Sequence, residues 1–230
     1  MLKVLEEVSV QSDSVDKACK VIQYAARVIL VQLVERLQIQ KTSEQLSLAG
    51  RLFILQKILS PSRKAIRLGR CFWYMPDIKK NGILPARDLF QLLSQLNTII
   101  AMLNDLLDDV ALFGSLGFLP KSVQSFAEVW AERVWFFTTW LDNVMTAKTL
   151  YDSHVAVGRA LERNESVNKL VEKRWQNLIL MIRFIADFIQ AGSMALKLST
   201  PKDVVAMCGV TSGGVSFYRI MKKAYEKHQK

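Results

Sequence analysis

A chain of 230 residues, half of them apolar, can bury one sizeable core or occupy a bilayer, and its few prolines and glycines exclude a disordered chain. Lys and Arg outnumber Asp and Glu by 31 to 21, a balance that points to phosphate-bearing partners, lipid or nucleic acid. Cys19, Cys71 and Cys208 lie far apart with no histidine at ligand spacing, which excludes a disulfide framework and a metal site and predicts reduced thiols.

Residues 1–8 carry no apolar h-region, so no secretory signal is expected, and the Asn164-Glu165-Ser166 sequon is then a chance match. From residue 16 to about 38, Ala18, Ile22, Ala25, Ala26, Ile29, Leu33 and Leu37 recur on one helical face. Lys17, Lys20, Gln23, Arg27 and Glu35 lie opposite, which predicts an amphipathic helix with an ordinary solvated face. Ser14 is its expected cap, and Thr42 or Ser43 caps the next helix.

Residues 46–70 combine an apolar helical pattern with a dense basic run. Leu48, Leu52, Leu55, Leu59 and Ile66 share a face, while Arg51, Lys57, Arg63, Lys64, Arg67 and Arg70 add positive charge with no acid between them. The combination predicts a helix lying on anionic phospholipid, with apolar insertion plus about 1 kcal/mol of attraction per Lys or Arg near the surface. A core helix with a solvated basic end is the competing reading, because Phe53 and Ile54 fall outside the stripe and make the first half apolar nearly all round. Ser60 as cap and Pro61 at the first helical position predict two short helices meeting at Ser60.

The aromatic cluster Cys71-Phe72-Trp73-Tyr74-Met75 suits a head-group interface or a core equally. Residues 76–86, with two prolines and an Asn-Gly pair, predict an internal loop within a single domain spanning 1–230. From 87 to 113 a long apolar face, Leu89 through Val110, opposes a polar one that includes Asn97, Asp105, Asp108 and Asp109. Three aspartates near a helix C-terminus oppose the macrodipole, so they are expected to meet basic residues of a neighbouring helix, Arg183 first among them. A helix from 122 to about 151 then crowds Trp130, Trp135, Phe136, Phe137 and Trp140 into three turns, a load that a core alone would bury with difficulty.

A charged connection, 158–165, leads to a helix over 166–198, in which Arg183 and Asp187 at i and i+4 form a local ion pair. Thr200-Pro201-Lys202-Asp203 starts a last, apolar helix within 201–230, followed by a basic tail. Gly209 and Gly213 form the small-xxx-small spacing at which two helices approach closely in lipid. The helices over 87–113 and 176–198 would span a bilayer only by turning their charges inward.

Several of these segments carry a family resemblance. Leu59-Ser-Pro-Ser-Arg-Lys-Ala-Ile-Arg-Leu-Gly-Arg70 resembles the Arg-Lys-x-x-Arg-Leu-Gly-Lys signature of the peroxin-eleven family of peroxisomal membrane elongation and proliferation factors. Asp16-Lys17 and Gln23-Tyr24-Ala-Ala-Arg27 upstream are similar to its N-terminal elements. Asn97, Asp105 and Gly117-Phe118 are similar to its central helix, and Phe184-Ile-Ala-Asp187, Pro201 and Gly209-Val-Thr-Ser212 to its C-terminal positions. The resemblance spans nearly the whole chain.

It implies an all-α bundle of about five to seven amphipathic and membrane-associated helices that elongates the peroxisomal membrane before fission. It also implies self-association into a homo-oligomer, basic segments facing the cytosol, and a fission machinery of dynamin-related GTPase and adaptor. The compartment is a peroxisome or a specialised one such as a glycosome. His228-Gln229-Lys230 is not a matrix signal, so targeting is expected through the membrane. A metabolite pore, lined by the polar face of 91–109, is the alternative the family offers, although its aspartates would favour cations over the anions to be moved. No helix-turn-helix, zinc or aromatic-sheet motif supports nucleic acid. No phosphate loop, nucleophile-base set or metal spacing supports catalysis or a cofactor, and His154 and His228 are isolated.

Overall fold

The computed structural model describes residues 12–32, 43–81, 88–163 and 166–228, and among these every regular element is helical. The elements are α1 (Ser12–Val31), α2 (Ser43–Ile66), a 3-10 helix (Arg70–Tyr74), α3 (Met75–Asn81), α4 (Leu89–Ser115), α5 (Lys121–Glu162), α6 (Asn168–Ala195) and α7 (Lys202–His228). The chain is an all-α bundle. Leu33, Glu35, Leu37 and Thr42 lie outside the described residues, as do the ends of the chain.

The six long helices close into a ring. α4, α5 and α6 pack in succession, α6 meets α7, α7 meets α1, α1 meets α2, and α2 returns to α4. The 3-10 helix and α3 lie against α4. Where the helices touch, the buried apolar residues are mostly small: Ala111, Ala127, Ala131, Ala160, Ala186, Ala191 and Ala206. Small side chains let backbones approach, so the contacts rest on close packing rather than on large interlocking residues.

Gly209 is needed for such an approach. A Cβ there would stand 2.4 Å from the Tyr24 ring of α1. One turn on, Gly213 faces Val21, so both glycines of the pair serve the α7–α1 contact within the chain.

Several boundaries differ from the sequence reading: α1 starts at Ser12, with the expected cap Ser14 inside it, and α5 runs past 151 to Glu162, through most of the connection expected at 158–165. α2 runs unbroken through Pro61, with no junction at Ser60. Arg63, two residues further on, is bonded to Asp16 and Gln23 of α1, which holds the next turn in place and offsets the hydrogen bond proline cannot make. The expected loop at 76–86 is helical over its first part as α3, with Pro76 in the first turn where proline is tolerated; 82–87 lie outside the described residues.

Polarity is inverted relative to a protein folded for water. The largest fully buried side chains are Gln190, Asp16, Ser14 and Ser212. Every long helix exposes large apolar residues: Ile22 and Ile29 on α1, Phe53, Ile54 and Ile58 on α2, Leu96, Leu103 and Leu106 on α4. α5 exposes Phe126, Trp130, Phe137 and Trp140, α6 Ile182, Ile185 and Ile189, and α7 Val204 and Met207. These residues follow helical spacing, so they form continuous stripes, and stripes of that size mark a surface made for lipid or a partner.

Candidate functional site: a charged interior within an apolar shell

The interior is built from α1 outward. Asp16, Lys17, Lys20, Gln23 and Tyr24 recur at helical spacing on one face of α1 and point into the ring. Lys17, Lys20 and Gln23 are therefore not on a solvated face. That reading is corrected, because Ile22 and Ile29 of the supposed core face are about half exposed. Asp16 is completely buried. Its carboxylate accepts from Lys17 Nζ at 3.0 Å and from Arg63 Nε at 2.9 Å, and Arg67 Nε lies 3.7 Å away. Burial opposes its ionisation, but Lys17, Arg63 and Arg67 together overcome that and hold the carboxyl down at about 2.

A second knot joins α1, α6 and α7. Lys20 Nζ donates to Asp187 Oδ1 at 2.8 Å and to Ser212 Oγ at 2.9 Å, while the Ser212 hydroxyl donates to the same carboxylate oxygen. Burial pulls the Lys20 ammonium down to about 8 even with Asp187 beside it. The Gln190 amide donates to the Tyr24 hydroxyl.

The third knot ties the end of α2, the turn after it and the 3-10 helix to α4. Lys64 reaches Asp108 at 3.1 Å and Arg67 reaches it at 3.3 Å. Arg70 lies 3.1 Å from Asp13 of α1 and 3.7 Å from Asp105, to which the Tyr74 hydroxyl also donates at 3.2 Å. Burial, with the Asp105 charge alongside, pushes the Tyr74 phenol up to about 12. Gly69 takes φ 73, a left-handed turn open to glycine, and its N–H then donates to Asp109 Oδ2 at 3.1 Å.

The basic run is thus divided. Arg63, Lys64, Arg67 and Arg70 face inward and are paired, so the structure does not set them on a surface as the sequence suggested. Arg51 and Lys57 are exposed, as are Leu48 and Leu55. Leu52, Leu59 and Ile66 of the expected insertion stripe are only half-buried on the inner side, whereas Phe53, Ile54 and Ile58 point outward. The charges at the end of α2 and just after it are answered by acids of α1 and α4, and the other side of α2 carries exposed apolar residues.

Arg183 is not the partner of the α4 aspartates: its Nε lies 3.6 Å from Asp187 Oδ2 on its own helix. The partners are Lys64 of α2, Arg67 and the Gly69 N–H of the turn after it, and Arg70 and Tyr74 of the 3-10 helix. Elsewhere on the polar face of α4, Asn97 Nδ2 donates to Asp142 Oδ1 of α5 at 2.8 Å. The aromatic load of α5 divides in the same way. Trp130, Phe137 and Trp140 face out, Phe136 stacks on Phe188 of α6 with centroids 5.0 Å apart, and Trp135 lines a central cleft of about 370 Å³ bounded by all six long helices.

Asp13, Lys20, Gln190 and Tyr74 were missed as site residues by the sequence reading. Asp16, Tyr24 and Ser212 entered it only through the resemblance. Yet most of the motif residues that carry the resemblance, Asp16, Lys17, Gln23, Tyr24, Arg63, Arg67, Asn97, Asp105, Asp187, Gly209 and Ser212, meet in this interior or at its helix contacts, while Phe118 and Pro201 are exposed. That convergence was the available signal.

A ring of helices with a paired, charged inside and an apolar outside defines a membrane-associated helical bundle. Two of its helices, Asn168–Ala195 and Lys202–Lys227, are long and apolar enough to cross a membrane. The chain belongs to the PEX11 family: the family described as Peroxisomal biogenesis factor 11 (PEX11) matches residues 2–221. It is a peroxisome biogenesis factor of the peroxisomal membrane. Comparison with curated proteins and with solved structures gives no match.

Proposed function

We propose that this chain reshapes the peroxisomal membrane from within one leaflet, as an inverted bundle whose apolar sides take up lipid area and whose ion pairs keep the helices together. The observation that carries the reading is the inversion itself: Asp16 is wholly buried while Phe53, Ile54 and Ile58 are each more than half exposed. In water such stripes would cost about 25 cal/mol per Å² of apolar surface, and in lipid that cost vanishes. Paired charges are what a low-dielectric interior tolerates.

The outer side of α2 then acts as the wedge, with Arg51 and Lys57 left to meet anionic head groups. Unequal insertion expands one leaflet relative to the other, and self-association into a homo-oligomer raises the local density until the membrane elongates. The role is non-catalytic. By family, the basic side faces the cytosol and the elongated membrane is handed to a dynamin-related GTPase and its adaptor.

The test is reconstitution of the full chain into liposomes containing anionic lipid. The wild-type protein should draw them into tubules. A Phe53→Glu, Ile54→Glu, Ile58→Glu variant, which leaves every internal pair intact, should bind weakly without tubulating. Undiminished tubulation by that variant sinks the wedge, and a wild-type chain that is monodisperse in buffer without detergent sinks the inverted-bundle reading.

A further inference from the structure

Outside the charged interior, α5 and α6 enclose a groove of about 600 Å³ on the apolar shell. Its two walls are regular. Ala147, Leu150, Tyr151 and His154 recur at i, i+3, i+4 and i+7 along α5, and Val171, Arg174, Trp175 and Leu178 do the same along α6. The groove changes character along its length. One end is lined by Leu150, Leu178 and Met181, where the apolar centre of α6 begins. The other holds the polar groups of Arg174 and His154, flanked by the exposed rings of Trp175 and Tyr151.

Among the described residues, no acid answers the charge at the polar end. Arg174 Nη1 lies 3.4 Å from His154 Nδ1, a contact between two basic side chains. The acids on neighbouring turns are engaged elsewhere: Asp152 lies 3.8 Å from Lys148, and Glu172 lies 2.7 Å from Lys222 of α7. Among the described residues, Arg174 has no carboxylate partner. An anionic oxygen placed over the pair would bond the guanidinium with charge assistance. Trp and Tyr beside it are the residues that settle at the level of head groups.

Length decides what kind of anion fits. From Arg174 to Met181 the helix rises about 10 Å, which lies within the roughly 15 Å depth of one leaflet of hydrocarbon. We infer that the α5–α6 groove holds one anionic phospholipid, its phosphate on Arg174 and His154 and an acyl chain along Leu150, Leu178 and Met181. The site rests on the reading that the chain lies in a bilayer. It would fix one lipid to the side of the bundle remote from α2.

The experiment is native mass spectrometry of the full chain released from nanodiscs that contain equal phosphatidylglycerol and phosphatidylcholine. The wild-type protein should retain one phosphatidylglycerol in preference to phosphatidylcholine by about fivefold, the worth of one cationic contact. Arg174→Ala should lose that preference, Arg174→Lys should keep most of it, and Ala147→Trp, which fills the apolar end, should lower retention of both lipids. Equal retention by Arg174→Ala, or full displacement of the lipid by soluble glycerol phosphate, overturns the site. So does cross-linking of a Tyr151→Cys variant to a second copy through this face. Bilayer insertion of each protein is scored separately by resistance to alkaline carbonate. A chain that inserts but retains no lipid refutes this groove alone, whereas a chain that never inserts refutes the inverted bundle with it.

Discussion

Two neighbouring basic stretches, one in the first half of α2 and one running from its end into the 3-10 helix, have opposite fates. Residues 48–58 carry Arg51 and Lys57 among Leu, Phe and Ile, and both cations stand exposed with no acid within reach among the described residues. Residues 63–70 carry Arg63, Lys64, Arg67 and Arg70, and every one is bound to Asp13, Asp16, Asp105 or Asp108. A positive charge is therefore not by itself a surface charge. The second stretch ties α1, α2 and α4 together, whereas the cations of the first make no such pair among the described residues.

The sharpest way to break this comparison is to delete cations from each stretch in turn. Arg63→Ala leaves Asp16 buried with its best-aligned partner gone, and the loss should be about 3 kcal/mol, read as a lowered thermal midpoint by circular dichroism in micelles. An unchanged midpoint would mean that the interior is wet enough to rescue the carboxylate.

Gly209→Ala tests whether the α7–α1 contact is as tight as the charged knot beside it requires. The added methyl meets the Tyr24 ring, and overpacking of that kind costs about 2 kcal/mol. If the variant melts with the wild type, helices α1 and α7 separate more easily than their close approach implies.

Acid should loosen the knot that Asp16 makes with Lys17, Arg63 and Arg67. The Asp16 carboxyl sits at about 2 in the folded chain and at 3.8 when free, so the stability it contributes is fully present above about pH 4 and is lost as pH falls toward 2. The loss is about 2 kcal/mol, measured by denaturant titration across that window. In an Asp16→Asn chain this part of the acid transition should disappear.

The smallest effect on folding belongs to the first stretch. Arg51→Ala with Lys57→Ala should change stability by no more than about 0.5 kcal/mol, as exposed substitutions do. It should still weaken attraction to anionic vesicles by about 2 kcal/mol, at roughly 1 kcal/mol per charge. Co-sedimentation with neutral and anionic liposomes separates the two. A large loss of stability here would erase the distinction between the stretches.

Much of the chain was legible before folding. Helical spacing located the long helices, and the Asp88 carboxylate that caps α4 through the Gln91 N–H marks a start close to the expected one. The spacing of Gly209 and Gly213 indicated a close helix contact. Arg183 and Asp187 were paired correctly because i and i+4 neighbours lie on one helix, where sequence distance is spatial distance.

Sidedness was not legible. An amphipathic pattern separates two faces, but the pattern is the same whether the apolar face is buried in a core or bathed in lipid. Only the partners break that symmetry, and they come from far along the chain: Lys20 meets Asp187 and Ser212 across 167 and 192 residues, and Arg63 meets Asp16 across 47. The sequence by itself determined the helices and their two faces, since those follow from local backbone geometry. Which face turned inward was decided by the tertiary structure, because an ionised group can leave water only where an opposite charge from another helix is waiting for it.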